Sequence, residues 1–189
     1  MLDLCAAPGS KTSHIAVLTD DKAWIIACDR HNHRLTTLRA TCERLGVQSI
    51  DALALDATRA LPFVAGALEF DRVLVDAPCS GTGTLRGNPE IKWRLSPDDI
   101  TRVAELQLNL LERGASAVAS GGRLVYSTCS IEQEENEEVV RRFLERTTLF
   151  IVIEPNAPAG LITSDGFVRT FPHQNRTDGF FAAAFERLQ

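Results

Sequence analysis

Two cysteines lie where a thiol can take part in chemistry. Cys79 sits on a turn between Pro78 and Ser80, directly after an apolar stretch, and Cys129 follows a second apolar stretch. Structural cysteines are usually embedded in a helix or strand, so the turn at Cys79 favours an accessible, reactive thiol. A thiolate is a nucleophile for covalent catalysis. The residues alone do not rank one cysteine above the other.

Three aspartates follow apolar stretches in the same way. Asp29 is placed to bind ribose hydroxyl groups, although an aspartate there also suits the start of the next helix. Asp56 can accept a hydrogen bond from an adenine amino group, and capping of its own turn is the alternative. Asp76 brings a carboxylate to the same turn as Cys79. The glycine-rich residues 81–83 predict a flexible exit from this turn.

The chain opens with a turn built mainly from small residues. Residues 2–4 predict the end of a strand and residues 11–18 predict a helix, so the backbone N–H groups between them would face a ligand. The turn residues are Cys5, Ala6, Ala7, Pro8, Gly9, Ser10 and Lys11. They lack the three glycines of a dinucleotide-binding fingerprint, which argues against a pyrophosphate ligand. An ordinary tight turn between strand and helix is the alternative.

The elements that must position these residues alternate along the chain. Strands are predicted at 2–4, 23–28, 50–55, 70–75, 123–127, 149–153 and 179–185, and helices at 11–18, 31–45, 97–119 and 132–146. Gly121 and Gly122 are predicted to end the third helix. The alternation predicts an α/β fold with a mostly parallel, doubly wound sheet. Ligands bind such sheets at the carboxyl ends of the strands, where the turns described above meet.

Two charged segments, at 84–98 and 132–146, can be interpreted structurally as well as functionally. The predicted loop at 84–98 contains Arg86, Lys92, Trp93 and Arg94, a set that suits base stacking and phosphate contacts in RNA. A surface loop with its tryptophan tucked into the core is the alternative. The five glutamates at the start of the 132–146 helix are interpreted as a solvated helix start, without a role in chemistry.

Composition limits the class of protein. The 189 residues, 44% of them hydrophobic, suffice for one globular domain spanning 1–189. A net charge of −5 is a poor basis for gripping a phosphate backbone. No apolar run is long enough to cross a membrane and no signal peptide precedes the first strand. These features predict a cytoplasmic protein, and we expect a monomer.

The cysteine and histidine content argues against two other kinds of site. Five cysteines without a C-x-x-C pair indicate neither a disulfide framework nor a zinc site, and no bound metal is expected. Cys28 and Cys42 are predicted to be small buried hydrophobes. A Cys–His hydrolase would need a histidine base, but no histidine follows a predicted strand in a position that suits a base. The histidines are His14, His31, His33 and His173.

Taken together, the cysteine-bearing motifs resemble those of the Nop/Sun-type RNA cytosine-5 methyltransferase family, most closely its bacterial members that act on the small ribosomal subunit. The matching stretches are residues 3–12, 76–81, 127–130 and 169–181. Ser10 departs from the family, which usually has glycine at this point of the turn. The family also carries an N-terminal RNA-binding region and a preceding subdomain, which these residues lack and which we expect upstream in a full-length protein.

The resemblance implies a Rossmann-like methyltransferase fold with a mostly parallel, seven-stranded sheet and an antiparallel last strand. It implies S-adenosyl-L-methionine as cofactor and RNA, 16S rRNA in particular, as substrate. The cofactor would lie along residues 5–11 and against Asp29, Asp56 and Asp76. The implied reaction is methylation of carbon 5 of a cytosine.

The resemblance also implies different roles for the two thiols. Cys129 would be the nucleophile that adds to carbon 6 of the cytosine, and Cys79 would serve release. Asp76 would hold the cytosine edge, where a protonated carboxyl would favour addition to the ring. A nucleotide-binding Rossmann oxidoreductase is one alternative. A catalytically inactive or RNA-binding-deficient remnant that binds only the cofactor is another.

Overall fold

The computed structural model describes residues 1–63 and 68–189, which form an eight-stranded mixed sheet. Its strands are β1 (Leu2–Asp3), β2 (Ile25–Asp29), β3 (Ile50–Ala54), β4 (Phe70–Asp76), β5 (Val118–Thr128), β6 (Phe150–Ile153), β7 (Val168–Thr170) and β8 (Phe180–Arg187). The order across the sheet is β3-β2-β1-β4-β5-β8-β6, and β7 pairs with β8 outside this path. The pairs among β1 to β5 are parallel, whereas β8 is antiparallel to β5, β6 and β7.

The predicted fold class is confirmed, with one more strand than expected. The last strand in the sequence is antiparallel, as the resemblance implied, and it lies between β5 and β6 rather than at an edge. The additional strand is β7. Its three residues give too short a pattern of burial to stand out in the sequence, and it is defined by its pairing with β8.

Six α-helices connect the strands within the described residues. They are α1 (Ser10–Leu18), α2 (Asn32–Leu45), α3 (Ile91–Arg94), α4 (Pro97–Ser116), α5 (Glu137–Arg146) and α6 (Pro172–Asn175). The start of α4 is confirmed as predicted: Pro97 occupies its first turn, and Ser96 and Asp99 cap each other's backbone N–H groups. Such a capping box satisfies two of the unpaired donors at a helix start. None of these helices is long and apolar enough to cross a bilayer.

The predicted end of α4 is wrong. The helix ends at Ser116, and β5 begins at Val118 and runs through Gly121 and Gly122. Val118 pairs with Phe70 of β4, after which the register shifts. This irregularity uses Gly121, whose φ of 72° is left-handed. The two glycines therefore mark a bulge inside a strand and not the stop of a helix.

The core lies on both faces of the sheet. All five residues of β2 are buried, as expected for a central parallel strand. The largest fully buried side chains include Tyr126, Phe143, Phe181 and Phe185. A fully buried phenylalanine stabilises the fold by about 1.5–3 kcal/mol relative to an exposed one. Cys28 and Cys42 are buried, as predicted.

Candidate active site

The two cysteines predicted to be reactive meet at one edge of the sheet. They follow β4 and β5, which are neighbouring parallel strands, so their turns leave the sheet side by side. The Sγ atoms of Cys79 and Cys129 lie 3.0 Å apart in a hydrogen bond, and both side chains are partly buried. Fifty residues of sequence separate these thiols. The predicted convergence of the two turns is therefore confirmed.

This contact makes the two thiols chemically different. The pKa of Cys129 is lowered to about 7, first by the hydrogen bond from Cys79 and also by the Lys11 ammonium, against the opposing effects of burial and Asp76. The same hydrogen bond, together with burial, raises the pKa of Cys79. These opposite shifts favour Cys79 as the donor and Cys129 as the thiol that ionises first. A thiolate is the nucleophilic form of cysteine.

Asp76 lies at the end of β4 and is held from two sides. Lys11 Nζ forms an ion pair with Asp76 Oδ2 at 2.7 Å, and Ser127 Oγ donates to Oδ1 at 2.8 Å. Lys11 Nζ also lies 5.1 Å from the centre of the Phe180 ring, an attractive cation–π distance. These contacts fix the direction of the carboxylate beside Cys129.

The opening turn is shaped by a buried aspartate and a glycine. Asp3 accepts hydrogen bonds from Thr12 Oγ1 at 2.7 Å and from the Cys5 N–H at 3.3 Å. Burial is the main reason that the pKa of Asp3 is raised to about 6. Gly9 precedes α1 with a left-handed φ of 108°, and a Cβ there would lie 2.8 Å from Leu38 Cγ. Only glycine fits this conformation and this close approach.

A cavity of about 410 Å³ opens beside these groups. Its lining includes the predicted residues Cys5, Ala7, Asp29, Asp56, Asp76, Cys79 and Cys129. Other lining residues are Leu4, Arg30, His31, Arg34, Leu55, Ala57, Thr58, Ala77, Pro78, Leu106 and Leu110. The predicted cofactor residues Ala6, Pro8, Gly9, Ser10 and Lys11 do not line it. A cavity of this size is typical of small-molecule sites.

Asp29 lies at the end of β2 and faces the cavity. Its carboxylate accepts hydrogen bonds from the His31 N–H at 2.8 Å and from Arg34 Nη1 at 3.2 Å. Arg34 Nη2 also donates to the Ala7 carbonyl at 2.8 Å, which ties the opening turn to β2. His31, and not Asp29, is the N-cap residue of α2, so the helix-cap alternative for Asp29 is wrong.

Asp56 is held mainly by its own turn. Its side chain accepts hydrogen bonds from the N–H and the hydroxyl of Thr58, at 3.1 and 2.6 Å, and these bonds lower the pKa of Asp56. The turn-capping interpretation is therefore confirmed. Because Asp56 also lines the cavity, this local role is compatible with contact to a ligand.

Glu135 is a buried charged residue that the sequence did not reveal. The 132–146 segment was interpreted as a solvated helix start, but Glu135 is fully buried in a short 3-10 turn before α5. It contacts the residues that follow both cysteines, Ser80 and Ser130. Glu137 also departs from that interpretation, because it pairs with the largely buried Arg169. The surrounding acidic run conceals both, and no local pattern distinguishes them.

The prediction of a flexible, glycine-rich exit after Cys79 is wrong, because this segment is packed. Gly83 is buried and donates its N–H to the Cys129 carbonyl at 3.0 Å, while its own carbonyl accepts from the Gly179 N–H at 2.8 Å. A Cβ on Gly83 would lie 2.2 Å from the Gly179 carbonyl oxygen. The absence of a side chain thus allows two backbone segments to brace the Cys129 turn.

The loop at 84–98 contains the short helix α3 and an exposed tryptophan. Trp93 is 80% exposed, so the alternative in which it enters the core is wrong. Lys92 Nζ lies 4.7 Å from the centre of the Trp93 ring. The helix packs near the Cys79 turn, since Ile91 Cδ1 lies 3.1 Å from the Cβ position of Gly81.

Comparison with known proteins places these features in a family. The family model described as 16S rRNA methyltransferase RsmB/F matches residues 1–186. "Probable ribosomal RNA small subunit methyltransferase B" of Bacillus subtilis (strain 168) is 39% identical over 192 residues, covering 99% of this chain and 43% of the relative.

Two crystal structures are similar over nearly the whole chain. PH0851 aligns with a TM-score of 0.92 and 41% identity, covering 98% of this chain and 42% of that one. NSun6 from Pyrococcus horikoshii with SFG aligns with a TM-score of 0.89 and 32% identity, covering 100% of this chain and 47% of that one. The chain therefore spans less than half the length of these relatives. It belongs to the 16S rRNA methyltransferase RsmB/F family.

Proposed function

We propose that the chain methylates carbon 5 of a cytosine in RNA, with 16S rRNA as the substrate, through a covalent bond between Cys129 and the base. The observation that carries this proposal is the thiol pair, whose Sγ atoms lie 3.0 Å apart, a contact that lowers the pKa of Cys129 and raises that of Cys79. Membership of an rRNA methyltransferase family supports the substrate class and the transferred group.

S-adenosyl-L-methionine is the cofactor and supplies the methyl group. The lining of the cavity suits it: Asp29 would bind the ribose hydroxyls, and Asp56 would accept from the adenine amino group. Both carboxylates face the cavity. The opening turn at Cys5 and Ala7 would lie against the methionine end. The same cavity reaches Cys129 and Asp76, so one space serves cofactor and base.

The thiol pair suits the chemical difficulty of the reaction. Carbon 5 of cytosine is a weak nucleophile until a thiolate adds at carbon 6. Formation of the bond from Cys129 Sγ to carbon 6 moves electron density to carbon 5, which can then take the methyl group. A base must then accept the proton at carbon 5, which re-forms the double bond between carbons 5 and 6 and expels Cys129 as a thiolate. Cys79, in contact with Cys129, is the group assigned to this release.

Asp76 is the residue proposed to hold the base. Lys11 and Ser127 fix its carboxyl group beside Cys129. From there it would accept a hydrogen bond from the exocyclic amino group of cytosine. Such a contact positions carbon 6 near the thiolate, and correct positioning is a large part of catalysis.

Trapping the covalent complex between protein and RNA distinguishes the roles of the two thiols. The chain is incubated with 16S rRNA transcripts and labelled S-adenosyl-L-methionine at low salt. The expected product is 5-methylcytidine, identified by mass spectrometry. Cys129→Ser should abolish both methylation and adducts, whereas Cys79→Ser should lose turnover and accumulate a protein–RNA adduct on a denaturing gel. The reverse pattern would exchange the two roles.

Other outcomes would overturn the proposal itself. Methylation of an atom other than carbon 5 of cytosine would show that the proposed site of methylation is wrong. Binding of a nicotinamide cofactor in place of S-adenosyl-L-methionine, measured by calorimetry, would favour an oxidoreductase. Cofactor binding without any methyl transfer to RNA would identify a cofactor-binding remnant.

A further inference from the structure

A fully buried carboxyl group lies behind the two cysteines and takes no part in the proposed reaction. Glu135 Oε1 accepts hydrogen bonds from the hydroxyls of Ser80 and Ser130, the latter at 2.7 Å. Glu135 Oε2 accepts from the Ser80 N–H at 2.9 Å and from Gln107 Nε2 at 2.8 Å. Four accepted hydrogen bonds fill the lone pairs of an ionised carboxyl group.

These contacts join the two cysteine turns to each other. Ser80 follows Cys79 and Ser130 follows Cys129, so Glu135 holds both turns one residue beyond the thiols. Gln107 of α4 donates also to the Pro78 carbonyl, at 2.9 Å, on the other side of Cys79. The carboxyl group is thus shared between the ends of β4 and β5 and the helix behind them.

The burial of this group is costly. Within residues 1–63 and 68–189, Glu135 forms no ion pair with a lysine, arginine or histidine. A buried charge without a counter-charge is tolerated only where hydrogen bonds replace its water. An apolar side chain here would leave the Ser80 N–H, the Ser130 hydroxyl and Gln107 Nε2 without their acceptor, so the carboxyl group serves to hold these donors together.

We propose that Glu135 is a positioning residue that holds the Cys79 and Cys129 thiols in contact and directs the negative charge to Cys129. The inference rests on the proposed function for its catalytic meaning. The pKa of Cys79 is raised mainly by its hydrogen bond with Cys129, and then by burial and by the charge of Cys129. The negative charge of Glu135 makes a smaller contribution in the same direction. Through its hydrogen bonds to Ser80 and Ser130 the same carboxyl group fixes the distance between the two cysteine turns, and its charge adds to the effects that keep the proton on Cys79.

The test is Glu135→Gln, with Glu134→Gln as the matched control, because Glu134 lies exposed in the same turn. A glutamine preserves the size of the side chain but loses the charge, and it replaces one acceptor by a donor. Reaction of each cysteine with iodoacetamide is followed from pH 5 to pH 10 by peptide mass spectrometry. Without the charge of Glu135, Cys79 ionises more easily and competes with Cys129 for the single negative charge, so we expect the midpoint for Cys129 to rise relative to that in Glu134→Gln. The preference for Cys129 over Cys79 should fall at least several-fold.

Two further variants separate position from charge. Ser80→Ala and Ser130→Ala each remove one hydroxyl from Glu135 and keep its charge. Each should raise the Cys129 midpoint by less than Glu135→Gln does, and should add little when combined with it, because residues in one network are not additive. If thermal unfolding shows that Glu135→Gln does not fold, these two serine variants decide the question.

The outcome that overturns the inference is a folded Glu135→Gln protein whose midpoint and cysteine preference equal those of Glu134→Gln. Affinity for S-adenosyl-L-methionine should stay unchanged in every variant, since Glu135 does not line the cavity. In a methylating enzyme, kcat should fall while KM for the cofactor stays the same. Because alkylation needs no RNA, a shifted midpoint in a chain that methylates nothing would refute the proposed function and leave the positioning role intact.

Discussion

Replacement of Cys79 by alanine tests whether its thiol makes Cys129 reactive. The hydrogen bond from Cys79 is the largest influence that lowers the pKa of Cys129 to about 7, whereas burial and Asp76 raise it. In Cys79→Ala only the weaker effect of Lys11 and a backbone hydrogen bond still oppose them. The pKa of Cys129 should therefore rise to the ordinary value of 9.0 or above.

The size of the effect depends on what is measured. At pH 7.5 the thiolate fraction of Cys129 should fall from roughly three quarters to roughly 3%, a loss of about 25-fold. A thiolate whose thiol has a higher pKa is also the better nucleophile. Its intrinsic rate constant rises by roughly 6- to 10-fold for a difference of about two pKa units. The rate at pH 7.5 should therefore fall only about 2.5- to 4-fold. The midpoint of the pH profile is the sensitive quantity.

Alkylation of Cys129 across the pH range, followed by peptide mass spectrometry, supplies that midpoint. Cys79→Ser is the matched control, because its hydroxyl can still donate to Cys129 and should retain a midpoint below that of Cys79→Ala. A midpoint near 7 in Cys79→Ala would refute the reasoning. Cys129 would then owe its low pKa to a source other than its neighbour.

Three further predictions concern the cavity, the exposed tryptophan and the packed glycine. Asp29→Ala should weaken binding of S-adenosyl-L-methionine by about 1.5–3 kcal/mol in calorimetry, the range for hydrogen bonds to a charged group. Unchanged affinity with a large loss of stability would make Asp29 purely structural. Trp93→Ala should weaken RNA binding by about 1–3 kcal/mol in anisotropy at low salt, as one lost stacking contact, without changing the unfolding temperature. Equal RNA affinity would exclude stacking. Gly83→Ala should lower the free energy of unfolding by about 1–3 kcal/mol, because its Cβ would overlap the Gly179 backbone. Gly87→Ala is its control in thermal unfolding, since the nearest atom there is 3.8 Å away. Equal stability of the two variants would contradict the close packing.

The sequence predicted the sheet and its reactive edge because both depend on local patterns. The apolar run ending at Asp29 indicates a strand buried on both faces, and a residue that follows a parallel strand lies at the carboxyl edge. The turns at Cys79 and Cys129 could be assigned to one edge by that rule alone. The opposite pKa shifts of the two thiols depend on a contact of 3.0 Å across fifty residues, which no local pattern contains.

The parts that could not be predicted are those made by distant partners. Glu135 lies in an acidic run, and its burial depends on Ser80, which is 55 residues away. Gly122 looks like a helix stop until Val118 is seen to pair with Phe70. In each case a tertiary contact overrides what the neighbouring residues favour.

The interior position of β8 has a consequence for how the molecule is assembled. The strand is last in the sequence, yet it pairs with both β5 and β6, and the residue before it, Gly179, braces the Cys129 turn through Gly83. Until Phe180–Arg187 docks, β5 presents an open edge, and such edges attract strands from other molecules. Pairing between distant segments is also slow. Refolding should therefore pass through a species that has the parallel strands but lacks the bracing of the Cys129 turn, and the refolding yield should fall as protein concentration rises.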